Sequence, residues 1–365
     1  MATQQICLVQ APDKPDQLEL SYSFPVPTIK APNEVLVQVS AVALNPLDWK
    51  LVHYFPRPGT VVGCDFTGTI IARGNAVTDL AIGQRVCGAV VGSNPNRPSN
   101  GAFSKFLIAD SRILLAVPHE WTDLQAAALG GVGWYTAGLA FYDDDALQLT
   151  GWPSCPVPAR EDGSRIPILV YGGATASGTM FCQWLSRSGY APIATASPTS
   201  SEMVKKYGAV ATIDYNSPDS VEQIQKHSCG QLRHAIDCIT SEKTMGICMK
   251  SICRVGGQYI CLELYEPEWI TRKAVRVAMV VGAEATGEGF ELEGPYWRGP
   301  DPRKLKITMQ MRQEMQRMIN AEQIQSHPVH ELDGGWSAIL RGLQLLRVGG
   351  VRGTKLVVKI PQETQ

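Results

Sequence analysis

Positions 170–178 read VYGGATASG: an apolar run closes on two glycines, and helical spacing resumes after them. Glycines at a strand-to-helix turn let a pyrophosphate come close to the backbone and rest on the N–H groups that open the helix, where the dipole is positive. Gly172 and Gly178 meet the outer positions of a GxxGxxG spacing, while Thr175 stands where the central glycine would be. The competing reading is an ordinary glycine-containing turn. The strand-helix units around it favour a dinucleotide. About 20 residues on, a site for NAD carries Asp or Glu to bind the ribose hydroxyls. Here PIATA (192–196) runs into Ser197, Pro198, Thr199 and Ser200, with Lys205 and Lys206 just after. Hydroxyls and cations suit a 2′-phosphate that a carboxylate would repel, so NADP(H) is favoured. The same hydroxyls also suit a helix N-cap, which is compatible with that role.

Chemistry of other kinds is scarce. There is no GxSxG nucleophile elbow and no phosphate-binding loop ending in GK[ST]. The ten cysteines are spread singly with no CxxC pair, which reads as free thiols in a reducing compartment rather than a disulfide framework or a cysteine zinc site. His327 and His330, in HPVH, have ligand-like spacing but fall in a proline-containing turn, read as surface structure.

The elements that must position this site follow from length and patterning. The 365 residues suggest two domains. Lys plus Arg total 33 and Asp plus Glu 34, a net charge of -1, so no overall field draws in nucleic acid or an anionic membrane. Apolar residues make up 44% and charged residues 18%, enough for well-buried cores. No basic leader and no run of about 18 apolar residues occurs. A soluble, cytoplasmic protein is expected.

Over roughly the first 120 residues, short segments at 33–44, 66–74, 83–92, 102–110 and 112–118 alternate with turns, the pattern of a small β-barrel. Helical character begins at 122–128 and resumes at 135–140. The pattern then changes to strands at 166–171, 192–196, 210–215, 232–240 and 256–263. Helices fall at 179–189, 202–207 and 242–254. Repeated alternation implies right-handed crossovers and a doubly wound parallel sheet. The stretch 150–167, rich in Pro, Gly and charge, reads as an exposed insertion. Helices at 303–320 and 337–350 and a strand at 354–361 complete the chain.

This order of parts resembles the medium-chain dehydrogenase/reductase superfamily. The resemblance is carried by LNPLDWK (44–50), VGCDFTG (62–68), GQRVCG (83–88), NGAF (100–103), AAALGGVGWYTAGLA (126–140) and GTKLVV (353–358). Within it the chain is most similar to the trans-acting enoyl reductases of fungal polyketide synthases, of the lovastatin-pathway type. That similarity runs from about residue 31 onward, through VYGGATAS, PIATASP, AIDCIT and TRK. The resemblance implies an α/β protein: a GroES-like β-barrel substrate domain (1–134 and 303–365) and a Rossmann cofactor domain (135–302, with an insertion near 150–165). Zinc alcohol dehydrogenases of the superfamily take a Cys and a His where this chain has Asn45 or Leu47 and Cys64 or Asp65. The four-cysteine lobe has no counterpart between Cys87 and Gly101. No metal is therefore expected. The implied reaction is conjugate addition of hydride from NADPH to an α,β-unsaturated acyl chain borne by the carrier protein of a separate polyketide synthase, or of a synthase joined to a nonribosomal peptide synthetase.

Family correspondence also assigns positions. Leu47, Asp48, Trp49 and Lys50 fall by the nicotinamide side, and Thr136 matches a hydroxyl facing its carboxamide; Lys50 and Thr136 are the candidate catalytic residues. Ala174, Thr175, Ala176 and Ser177 would meet the pyrophosphate, Ser197 to Ser200 the 2′-phosphate, and Tyr215 the adenine. Leu262 and Glu263 fall near the nicotinamide ribose, and Val351 and Arg352 close the site. Substrate-side positions are Ala137, Gly138, Leu139, Ala140, Phe141, Tyr142, Asp143 and Asp144, together with Gly282, Ala283, Glu284, Ala285 and Thr286. Each has a plainer competitor: Lys50 as a solvated barrel lysine, Tyr215 as a packed aromatic, Asp48 as the holder of its turn. Tyr54 lies near a proton-donating Tyr of some relatives, in poor register, and no general acid is named. The rival readings are a quinone or small-enone reductase and an NADPH-binding protein without turnover. GAEATGEGFELEGPYWRGPD (282–301) makes a poor edge strand, so a monomer is expected.

Overall fold

A computed structural model describes residues 3–14 and 16–362. The chain forms two compact units, Met1–Val132 with Met315–Gln365, and Gly133–Glu314. The long helix Pro302–Asn320 begins in the second unit and ends in the first, whereas the sequence reading places all of it with the barrel.

In the first unit a seven-stranded sheet is centred on Glu34–Ala43. This strand is flanked by Asp65–Arg73 and Phe106–Asp110, and by Lys355–Lys359 returning antiparallel from the far end of the chain. Nearly every residue of Glu34–Ala43 is buried, because both edges are paired and both faces covered. Valines 35, 37, 39 and 42 pack with Phe66, Ile70, Phe103 and Leu107 in one core. Four elements of this unit escape the sequence reading. They are the hairpin strands Gln4–Gln10 and Leu18–Pro25, the helix Pro46–Tyr54 and the short strand Val329–Glu331. The last corrects the expectation for HPVH. Val329–Glu331 pairs with Lys355–Lys359 and draws His327 inside, to 5% exposure, leaving only His330 on the surface. Burial, followed by the nearby Lys355 charge, lowers the His327 pKa to about 4.

The second unit is a six-stranded parallel sheet. Taken in chain order, its strands are Pro167–Tyr171, Ala191–Thr195, Ala211–Ile213, His234–Asp237, Gly257–Cys261 and Val275–Met279. Their spatial order is third, second, first, fourth, fifth, sixth. Strand order therefore reverses between Pro167–Tyr171 and His234–Asp237, the switch point at which doubly wound sheets bind ligands. The helix Ser220–His227 and the edge strand Val275–Met279 are not evident in the sequence. The insertion is exposed over most of 154–165, and Trp152 anchors it by stacking on Tyr142 at 3.6 Å.

Arg272, from the TRK string, closes the end of the helix Glu242–Ser251. Its guanidinium donates to the carbonyls of Met249 (2.8 Å), Ile252 (2.5 Å), Cys253 (2.8 Å) and Arg254 (3.2 Å). Those carbonyls have no partner within the helix, and the planar fork serves several at once. Arg272→Met is expected to cost about 2–3 kcal/mol in urea unfolding, and Arg272→Lys is expected to recover less than half of it.

Candidate functional site

The dinucleotide turn grows out of the wholly buried strand Pro167–Tyr171. Gly172 adopts φ +81, and a Cβ there would lie 3.0 Å from the Ile239 side chain. At Gly178 a Cβ would fall 2.2 Å from the Gly172 carbonyl, so helix and turn touch backbone to backbone. Thr175 explains how the motif works without its central glycine. Its hydroxyl donates to the Gly172 carbonyl (2.8 Å) and accepts from the Gly178 N–H (2.9 Å), capping the helix Ala176–Arg187 while closing the turn. Ala174, Thr175, Ala176 and Ser177 are all partly exposed, with the first-turn N–H groups of the helix among them.

Where the second strand ends, the Ser197 hydroxyl lies 3.0 Å from that of Thr199 and 3.2 Å from that of Ser200. No carboxylate stands within 197–201. Lys205 is engaged by Glu202 at 2.9 Å, while Lys206 is exposed. Tyr215 is half-buried against the sheet's core, in keeping with the packed-aromatic reading.

At the switch point sits Asp237, a residue that the sequence motifs leave without a role. It is fully buried. One carboxylate oxygen accepts from the N–H groups of Ile239 and Thr240, both at 2.9 Å; the other accepts from the hydroxyls of Thr244 (2.6 Å) and Tyr259 (2.9 Å). The loop after His234–Asp237 is thereby fixed, with Ile239 half exposed beside Gly172. An acidic residue ending an apolar strand just ahead of TSEKT was the available signal.

Leu262 and Glu263 follow the strand Gly257–Cys261 and are half-buried. The Tyr296 hydroxyl donates to the Glu263 carboxylate, tying down the 287–301 segment. Of the substrate-side positions, Ala137, Leu139, Ala140 and Phe141 are at most 1% exposed, and Gly138 packs against Met311. Tyr142 hydrogen-bonds Trp184. Asp143 and Glu284 share the ammonium of Lys304, at 2.9 and 2.8 Å, with Arg298 also on Glu284. These pairs place the 3₁₀ turn Gly282–Thr286, in which Ala285 is buried and Gly282, Ala283 and Thr286 are partly exposed. Asp144 is on the surface.

The first unit holds a second cluster, centred on Asp65, which is 1% exposed. Its Oδ1 accepts from the N–H groups of Gly131 (2.8 Å) and Val132 (2.9 Å), and its Oδ2 from Asn45 Nδ2 (2.9 Å) and Lys355 Nζ (3.0 Å). Lys355 also donates to Asn45. Three segments are gathered by this carboxylate: the helix Pro46–Tyr54, the residues Gly131 and Val132, and the return strand Lys355–Lys359. The Asn45 amide and the Asp65 carboxylate are both bound to the Lys355 ammonium, so the charge that a cation would neutralise is already met by this chain's own side chain. Among the described residues no group of three His, Cys, Asp or Glu side chains is arranged to hold a metal ion.

Leu47, Trp49 and Lys50 are half-buried on the helix Pro46–Tyr54, whereas Asp48 turns inward and is fully buried. The Asn45 N–H donates to Asp48 Oδ2 at 2.8 Å, the turn-holding role. Thr136 is 6% exposed, Val351 half-buried and Arg352 exposed. Burial is the main cause that pushes the Asp48 carboxyl up to about 7, against the lowering effect of its hydrogen bonds. The folded protein therefore holds this proton more tightly than the unfolded chain, and stability is lost as pH rises from about 4 to 7. The thermal midpoint should fall over that window, and Asp48→Asn should flatten the fall while matching the parent near pH 4; parallel curves would show that Asp48 does not titrate there.

Comparison with known proteins agrees with this architecture. The model of the alcohol dehydrogenase GroES-like domain matches residues 31–119. A trans-enoyl reductase of Penicillium decumbens is 42% identical over 355 residues, covering 95% of this chain and 94% of the relative. One of Phaeosphaeria nodorum is 40% identical over 345 residues, covering 94% and 93%. Among solved structures, the CurK enoyl reductase aligns with a TM-score of 0.70 at 18% identity, covering 98% of this chain and 100% of that one. A Pseudomonas syringae quinone oxidoreductase aligns with 0.71 at 19%, over 98% and 100%. At such identities these two likenesses speak to the fold. Identity close to 40% along nearly the whole length goes further: the chain belongs to the trans-enoyl reductases, within the medium-chain dehydrogenase/reductase superfamily.

Proposed function

We propose that this protein uses NADPH to reduce the α,β-double bond of a polyketide acyl chain carried by a partner synthase. The observation that carries the cofactor half is the hydroxyl cluster of Ser197, Thr199 and Ser200 beside a glycine turn at the switch point, with no carboxylate within 197–201 to repel a 2′-phosphate. The cofactor, when bound, supplies the hydride. The fit rests on this chain's groups: the bare backbone at Gly172 and Gly178, and the first-turn amides near Ala176 and Ser177, offer donors for a pyrophosphate. Tyr215 would face the adenine, and Leu262 and Glu263 the second ribose. Leu47, Trp49, Lys50, Val351 and Arg352 from the first unit, and Thr136 from the second, would orient the nicotinamide and exclude water, with Lys50 and Thr136 the candidate catalytic residues.

The acyl half rests on family membership, since the relatives' names specify reductases that act in trans. A carrier-borne thioester is the matching substrate. Asp143, Glu284 and the turn Gly282–Thr286 would form its wall, fixed through Lys304. We further propose a monomer in the cytoplasm, in keeping with ten free thiols, six of them buried. No described helix is long and apolar enough to cross a membrane.

Purified protein should oxidise NADPH with crotonyl or 2-methylcrotonyl pantetheine thioesters, faster than with free quinones; turnover confined to quinones overturns the acyl reading. Ser197→Asp should weaken NADPH binding by about tenfold or more while sparing NADH, read by fluorescence titration. An unchanged preference removes the hydroxyl cluster from the 2′-phosphate site.

A further inference from the structure

A groove of about 670 Å³ lies at the other end of the second unit's sheet, where the strands begin. Its wall is set by strand register. His234 pairs with Gln258, and Gln258 with Arg276, so these side chains leave one face of the sheet in a row, about 4.8 Å apart. His234 and Gln258 share a side-chain hydrogen bond. Arg276 is braced by donating to the Ala146 carbonyl at 2.6 Å. Arg233, next in the lining, has no carboxylate partner among the described residues. Tyr190 is 3% exposed; its hydroxyl oxygen accepts from the N–H groups of Thr150 (3.2 Å) and Gly151 (3.1 Å), while its proton meets no acceptor among the described residues. No Asp or Glu lines the groove, and Leu149 and Ile166 give it an apolar side.

We propose that this groove binds a phosphate monoester attached to an apolar body, at a site separate from the dinucleotide turn. Two guanidiniums supply the charge and the planar donor pairs that a phosphate dianion takes up. The Tyr190 O–H and the Gln258 amide add neutral donors. The volume falls in the range of pockets for small organic ligands and exceeds what a lone phosphate fills. Dinucleotides bind at the carboxyl ends of such strands, and Gly172 stands there, whereas His234 and Gly257 are the first residues of theirs. Both sites can therefore be filled at once.

Soluble phosphopantetheine and a compact aryl phosphate share this chemistry, both being monoesters. Calorimetric titration of the full chain, with and without NADP⁺, would use phenyl phosphate, phosphopantetheine, inorganic phosphate and phenol. One equivalent of phenyl phosphate or phosphopantetheine should bind in both conditions, more tightly than inorganic phosphate, and phenol should not bind. Preference for phosphopantetheine assigns the ligand to monoesters with a long flexible body, and preference for phenyl phosphate to compact ones. Arg233→Gln, which removes a side chain with no ion pair to break, should weaken binding by about tenfold and leave NADP⁺ affinity unchanged. Displacement of the phosphate by NADP⁺, equal binding of phenol, or a variant that binds as the parent does would each overturn the site. Reduction of thioesters is measured separately and does not depend on the result.

Discussion

Asp65 and Lys355 are 290 positions apart in the chain and 3.0 Å apart in the fold, both nearly sealed from water. Such a pair is poorly explained as a source of stability. Desolvating both charges costs several kcal/mol per ion, of about the size of the attraction recovered. Its effect is better read from what it joins. The carboxylate holds the amides that open the helix carrying Thr136, the amide of Asn45 at the head of the helix carrying Lys50, and the return strand that follows Arg352. Three distant parts of the first unit's sequence are joined by one group.

The same design recurs in the second unit. Asp237 also gives one oxygen to two consecutive backbone N–H groups and the other to two side-chain donors. In each unit a buried carboxylate fixes a short loop. With four donors each, neither has an acceptor position left to take a proton from substrate, so their service is placement. Glu284, holding Lys304 and Arg298, extends the pattern to the turn Gly282–Thr286.

These devices differ in how far the sequence reveals them. Five of the six parallel strands are plain because they read as short apolar runs, as in IPILVY before Gly172, whereas the edge strand Val275–Met279 is largely uncovered and is not. Gln4–Gln10 and Leu18–Pro25 pair mainly with each other and keep polar residues, so little periodicity marks them. The polar helix Ser220–His227 buries only Ser220 and Ile224. Asp65 is visible from one string, VGCDFTG, as a departure from zinc ligation. Its partner lies in GTKLVV, and nothing local in either string says that they meet. Thr175 shows the reverse case: it spoils the motif by sequence, and only the cap and the backbone approach at Gly178 show the turn intact.

The two carboxylate hubs are unequal in one respect. Every donor to Asp237 is a neutral hydroxyl or amide, so losing the Tyr259 hydroxyl would leave three of four contacts and expose no buried cation. Asp65 depends on an ammonium. Neutralising either member of that pair strands the other charge in a dry interior, at a cost of about 3–5 kcal/mol, and at the same time releases Asn45 and the head of the Lys50 helix. The first unit's cluster is consequently the more brittle. Its arrangement is held by one long-range charge pair, where the Asp237 cluster is held by local hydrogen bonds that each tolerate loss.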